Sequence, residues 1–194
     1  MVEVVNILLA GVGGQGIVLA SRVLADVALQ SGKAVKVSET HGMAQRGGSV
    51  VTHVRFGEQV YSPLIALGQA DFLLGFEKLE AMRFLPYLKK DGRLIVNDQE
   101  IYPLNVLLGK EKYPPEISSY LKEQTGQMCL VPAQEIAQQL GSPRVVNMVL
   151  LGVLAQFLDI PQEKWEEAIY RCVRPEFREI NCQAFRKGFS WKSG

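Results

Sequence analysis

Two glycine-containing stretches hold the residues whose types and spacing can do chemistry. GVGGQG, residues 11–16, opens the first, and SETHGMAQRGGSV, residues 38–50, forms the second. In the first, Gly11 is expected to let a strand turn tightly. Gly13 leaves room, with no Cβ, for a ligand or another backbone, and Gly16 lets the following helix pack on the strand. With Gly14 and Gln15 they make a candidate contact for a phosphate or for a partner's backbone. The first turn of a helix exposes N–H groups that attract anions. In the second stretch Arg46 suits a bidentate clamp on a carboxylate or phosphate. His41 suits proton movement near neutral pH, Gln45 stands beside Arg46, and Gly42, Gly47 and Gly48 are hinges. The competing reading is that His41 and Arg46 order a long loop against a partner chain.

Three other positions invite a role. His53 alternates onto the more polar face of a strand and reads as structural. Asn97 and Asp98 end another strand, where they either line a crevice or make a turn. No nucleophile stands out: the sequence has no Gly-x-Ser-x-Gly elbow and no phosphate-loop lysine motif. Asp91-Gly92 follows Lys90, so the Gly-Asp-Gly pattern of metal-assisted thiamine diphosphate binding is missing. Cys129, Cys172 and Cys182 have no C-x-x-C spacing and read as reduced, buried thiols. Three cysteines cannot supply a four-cysteine iron–sulfur cluster, and two histidines argue against zinc.

The elements that must position these residues follow from periodicity. Residues 4–10, VVNILLA, read as a buried strand. Ile17, Ala20, Leu24, Val27 and Ala28 then share one helical face, ended at Ser31-Gly32-Lys33. AVKVSE is a second strand. SVVTHVRF alternates, and Gly57-Glu58 predicts a hairpin into QVYS. ADFLLGF is a strand, EKLEAMRFLPYLKK a helix limited by Pro86, and Asp91-Gly92 a turn into the strand RLIVN, parallel to its predecessor. Residues 114–126 predict a proline-started, glycine-ended helix, QMCLVP a last strand and PAQEIAQQLG a helix. Residues 144–158 are nearly apolar on all sides, as for a helix inside a core or at an interface. Two more helices follow, one from Pro161 with Trp165, Ile169 and Cys172 on one face, the other FREINCQAFRKGF. The fold class expected is α/β: a Rossmann-like, mostly parallel sheet with flanking helices, a β-hairpin insertion and a helical C-terminal third. It forms one domain over residues 1–194.

With 194 residues and net charge +1, the chain carries neither a basic nucleic-acid footprint nor an acidic tail. Its longest apolar stretch, interrupted by Asn147 and Gln156, is too short to span a membrane. A cytoplasmic protein is expected. The glycine spacing matches Gly-x-Gly-x-x-Gly, with Glu39 23 positions after Gly16 where a ribose-binding acid would stand. A free-standing NAD(P)-dependent dehydrogenase is therefore the alternative function. It does not account for the second glycine loop.

GVGGQGIVLASRVLA, SETHGMAQRGGSVVTHVRFG, SPLI, SPRVVNMVLLGVLA and NCQAFRKGF together resemble the gamma-type subunit of the 2-oxoacid:ferredoxin oxidoreductases. The version of the second loop is most similar to the indolepyruvate branch, in its small beta subunit. The resemblance implies oxidative decarboxylation of a 2-oxoacid to an acyl-coenzyme A. Thiamine diphosphate with Mg2+, iron–sulfur clusters and coenzyme A serve that reaction, and electrons pass to ferredoxin. Lacking the cluster cysteines and the thiamine motif, this chain is expected to bind none of these alone. It would contribute structure and an active-site rim, with His41, Gln45 and Arg46 at that rim, to larger thiamine- and cluster-bearing subunits. When isolated, it would be inactive and able to dimerise.

Overall fold

The computed structural model describes residues 4–41, His41 as backbone only, and 48–192. β-Branched and leucine-rich runs make the strands β1 (Val4–Val12), β2 (Ala34–His41), β3 (Ser49–Gly57), β4 (Ala70–Gly75), β5 (Leu88–Asn97) and β6 (Met128–Val131). They form one sheet in the order β2-β3-β1-β4-β5-β6. β1, β4, β5 and β6 pair in parallel, as expected. β3 runs antiparallel to both β1 and β2, with Val12 opposite Ser49 and His41 opposite Val50.

Three of the expected details are corrected here. The hairpin is β2–β3, closed by the second glycine loop, and QVYS forms no strand after Gly57. A strand needs a free edge to pair with, and β1 and β2 already occupy both edges of β3. The helix α2 (Lys78–Phe84) also stops earlier than expected. A 3-10 turn at Leu85–Tyr87 carries Pro86, and Leu88, Lys89 and Lys90 belong to β5. Asp91 and Gly92 lie inside that strand as an irregularity, since Ala70 pairs with Leu88 but Phe72 with Arg93.

Helices cover both faces. On one face α1 (Ile17–Gln30) buries Ile17, Ala20, Leu24, Val27 and Ala28, the expected stripe, together with Val23. On the other face α2 packs with α4 (Ile117–Gln124) over Leu8, Ala10, Leu73, Leu94 and Val96. Ile65, from the link between β3 and β4, joins that second core. Between β5 and α4 a short helix, α3 (Leu104–Leu107), buries none of its residues; its single turn gave no periodic signal.

The C-terminal third is helical: α5 (Ala133–Gln139), α6 (Val146–Ala155), α7 (Gln162–Cys172) and α8 (Arg178–Phe189). Every residue of α6 is buried, which places the apolar stretch inside the core. α6 meets α8 backbone to backbone. A Cβ on Gly152 would strike the Phe185 carbonyl, and one on Gly188 would strike that of Val149. Trp165 and Phe185 stack in the same core at 5.7 Å. No described helix is long and apolar enough to cross a membrane.

Candidate functional site

β1 and β4 are neighbours, while the chain between them travels to β2 and back through β3. The gap at their C-terminal ends is thus the switch point of the sheet, where doubly wound folds bind ligands. The first glycine turn lies there, but its glycines act differently from the expectation. Gly11 is still in β1, opposite Val50, and a Cβ on it would sit 2.7 Å from the Phe76 Cβ. Its lack of a side chain lets β1 approach the end of β4. Gly14 and Gly16 make the turn, with φ of 105° and 78°. The space in front of Gly16 is filled by Asn147 of α6, whose Nδ2 donates to the Gly16 carbonyl at 3.2 Å. Gly13 meets the chain's own second loop through its backbone: its N–H donates to the Gly48 carbonyl at 2.9 Å.

Gln15 fills the switch point. Its Oε1 accepts from the Val12 N–H at 2.7 Å, while Nε2 donates to the Phe76 carbonyl at 2.9 Å and to Gln99 Oε1 at 3.3 Å. Asn97 lies fully buried beneath, donating to the same Phe76 carbonyl at 3.3 Å and to Gln99 Oε1 at 3.0 Å. These amides occupy the gap between the ends of β1 and β4. On the far side of the turn a cavity of about 320 Å³ is lined by Val12, Ile17, Val18, Val50 and the glycines. Among the described residues no charged side chain lines it. The α1 N-terminus beside it has no side-chain cap and no acid in its first turn.

The second glycine loop leaves the same edge, but across β3. Glu39 is exposed and accepts from Ser21 Oγ at 3.2 Å. It lies two strand spacings from β1, roughly 10 Å, because β3 takes the place beside β1 that a ribose-binding acid's strand would hold. Gly42, Gln45, Arg46 and Gly47, with the His41 side chain, lie outside the described residues.

Periodicity did not reveal two buried carboxylates on α2. Glu77 caps that helix, accepting from the Glu80 N–H at 2.9 Å, the Ile101 N–H at 3.2 Å and Tyr113 Oη at 2.6 Å. Burial and the Glu77 carboxylate raise the Tyr113 phenol far above its ordinary value. Glu80, also buried, accepts from Ser49 Oγ and pairs with Arg83 at 2.6 Å. The available signal was position: EKLE directly follows the end of β4. Lys78 pairs with Asp98 at 2.6 Å and Glu100 at 3.3 Å. Desolvation alone would lower its pKa, but the hydrogen bonds and charges of those acids together raise it. Asn97 thus joins the edge network, and Asp98 makes an ion pair.

His53 is buried away from this edge, its Nδ1 accepting from the Ile65 N–H at 3.2 Å. Desolvation first, and Arg55 second, lower its pKa. Cys129 and Cys182 are buried and Cys172 half-buried. Burial pushes the Cys182 thiol up to about 11 and raises that of Cys172. Among the described residues no three His, Cys, Asp or Glu side chains gather as a metal site. What the edge offers is binding and positioning: fixed amides, two buried carboxylates and a glycine-rich turn.

Residues 6–191 match the family described as pyruvate ferredoxin/flavodoxin oxidoreductase. The chain is 40% identical over 188 residues to the indolepyruvate oxidoreductase subunit IorB of Thermococcus kodakarensis, covering 94% of this chain and 93% of that one. Its fold is similar to the gamma subunit of a keto/oxoacid ferredoxin oxidoreductase from Geobacter sulfurreducens. That match has a TM-score of 0.74 at 25% identity and covers 96% of this chain and 95% of that one. The same fold forms part of a longer chain, the 2-oxoglutarate:ferredoxin oxidoreductase of Magnetococcus marinus. There the TM-score is 0.74 at 21% identity, with 99% of this chain matching 32% of that one. These similarities, with the occupied switch point and displaced Glu39, set aside the free-standing dehydrogenase.

Proposed function

The chain belongs to the pyruvate ferredoxin/flavodoxin oxidoreductase family, and from that footing we propose that it is a single-domain, cytoplasmic subunit of a 2-oxoacid:ferredoxin oxidoreductase. The substrate is indolepyruvate or a related aryl 2-oxoacid, by analogy with the IorB relatives. One observation carries the reading of its role: the switch point that would hold a cofactor is filled by the chain's own Gln15. This polypeptide builds a binding edge and leaves the redox chemistry to companions. Thiamine diphosphate with its Mg2+ and the iron–sulfur clusters belong to larger partner subunits, which decarboxylate the substrate and pass electrons to ferredoxin.

In this proposal the glycine turn, residues 11–16, receives a partner's backbone. The apolar lining that the described residues give the adjoining cavity favours that over a polyphosphate. The uncapped α1 N-terminus supports a second reading, in which the turn contacts a phosphate of coenzyme A. His41, Gln45 and Arg46 belong to the rim facing the substrate.

The test is purification from the native host, with mass spectrometry and an iron assay. A larger iron-bearing chain is expected to co-purify, with 2-oxoacid:ferredoxin activity in the complex and none in the isolated chain. Complete 2-oxoacid oxidation by the isolated chain would overturn the proposal.

A further inference from the structure

The link between β3 and β4, residues 58–69, has no helix or strand, yet side chains of β3 hold it flat against the sheet. Arg55 reaches it with Nη1, which donates to the carbonyls of Ser62 at 2.8 Å and Leu64 at 3.0 Å. Its Nε donates to Asn6 Oδ1 at 2.7 Å, which fixes the guanidinium. His53, two residues earlier on the same face, accepts the Ile65 N–H at Nδ1. That bond seats Ile65, 4% exposed, in the core under α2 and α4. The same strap turns Tyr61, Leu64 and Leu67 outward, 83%, 57% and 65% exposed.

We propose that His53 is a proton-sensitive latch for this strap: it seats Ile65 only while its Nδ1 carries no proton. A neutral imidazole has one acceptor nitrogen, and an imidazolium has none. Protonation would set two N–H groups against each other in a buried place and orphan the Ile65 amide. Among the described residues, the surroundings offer the imidazolium no anion. Arg55 is on its own strand, Tyr87 lies edge-on at 6.0 Å, and the facing residues on β1 and β2 are Leu8 and Ser38. Across from Arg55, β2 presents Lys36, a further positive charge. Arg55 keeps hold of Ser62 and Leu64 in either state, so the release is confined to Ile65 and the turn around it.

The experiment is an NMR titration of the full chain from pH 8 to pH 5, following the His53 ring and the Ile65 amide. Ile65 exchange, corrected for the intrinsic effect of pH, is expected to accelerate roughly tenfold as His53 protonates, the loss of about one buried hydrogen bond. In His53→Asn, whose amide oxygen can keep the acceptor without titrating, the Ile65 amide should stay protected throughout. The idea fails if Ile65 remains protected beside a protonated His53, or if the Asn variant shows the same pH dependence. Should that variant not fold, the wild-type titration alone decides.

Discussion

Gln15 Nε2 donates to the Phe76 carbonyl at 2.9 Å, tying the turn after β1 to the end of β4 across the switch point of the sheet. The same side chain accepts from the Val12 N–H, so one amide satisfies backbone groups on both strands. Gln15→Ala should cost about 1–3 kcal/mol, because it takes the acceptor from the partly buried Val12 N–H, while Asn97 still donates to the Phe76 carbonyl. Gln15→Glu should cost more, since a carboxylate would face the Phe76 carbonyl with no proton to offer. Urea unfolding with an unchanged m-value would report both. A Glu variant as stable as wild type would show that the bridge contributes nothing.

The same geometry bears on nucleotide binding. NADH titrated against the pure chain is expected to give no saturable fluorescence change, and Glu39→Ala should make no difference. Micromolar binding lost in Glu39→Ala would mean that the dinucleotide lies where Gln15 now stands.

The buried imidazole makes stability depend on pH. The folded-state pKa of His53 lies below its unfolded value of about 6.5. Between the two the unfolded chain binds the extra proton, so stability rises with pH there. The contribution of His53 is full above the unfolded value. It declines as pH falls through 6.5 and levels off below the folded value. Melting temperature plotted against pH should therefore drop more steeply on the acid side for wild type than for His53→Asn. Parallel curves would remove His53 from the account.

Thiol reactivity offers a separate check on the core. With its pKa pushed up to about 11, Cys182 carries little thiolate at neutral pH. Iodoacetamide at pH 7.5 should leave Cys182 unmodified in the folded chain and label it in urea, as read by mass spectrometry. Rapid native labelling would mean that the α6–α8 packing opens readily.

At the rim, Arg46→Ala is expected to assemble normally with the companion subunits but to lower turnover of the complex. Steady-state kinetics with the 2-oxoacid would separate a raised KM from a lowered kcat. Wild-type turnover in the assembled variant would assign Arg46 to loop order alone.

Local pattern made much of this protein legible. The stripe Ile17–Ala20–Leu24–Val27–Ala28 predicted the buried face of α1, and the nearly continuous apolar run predicted a helix with no solvent side at α6. Both are properties of a chain folding on itself with a fixed period, so neighbours in sequence report them. The short turn of α3 and the early end of α2 escaped, because single turns and proline-limited ends carry little periodic signal. Of the candidate site, the sequence marked the two glycine stretches and Asn97; Glu77, Glu80 and Gln99 emerged only in three dimensions.

What the sequence by itself determined is the class of each element and which side chains turn inward. The tertiary structure alone decided that β3 slides between β1 and β2, and so moves Glu39 away from the first turn. Alternation encodes the face of a strand and never its neighbour, since pairing is made by backbone groups that every residue shares. The glycines follow the same logic. Their spacing announced a turn, but only the approach of Phe76 and Asn147 from distant parts of the chain fixed what the missing Cβ of Gly11 and of Gly16 is for.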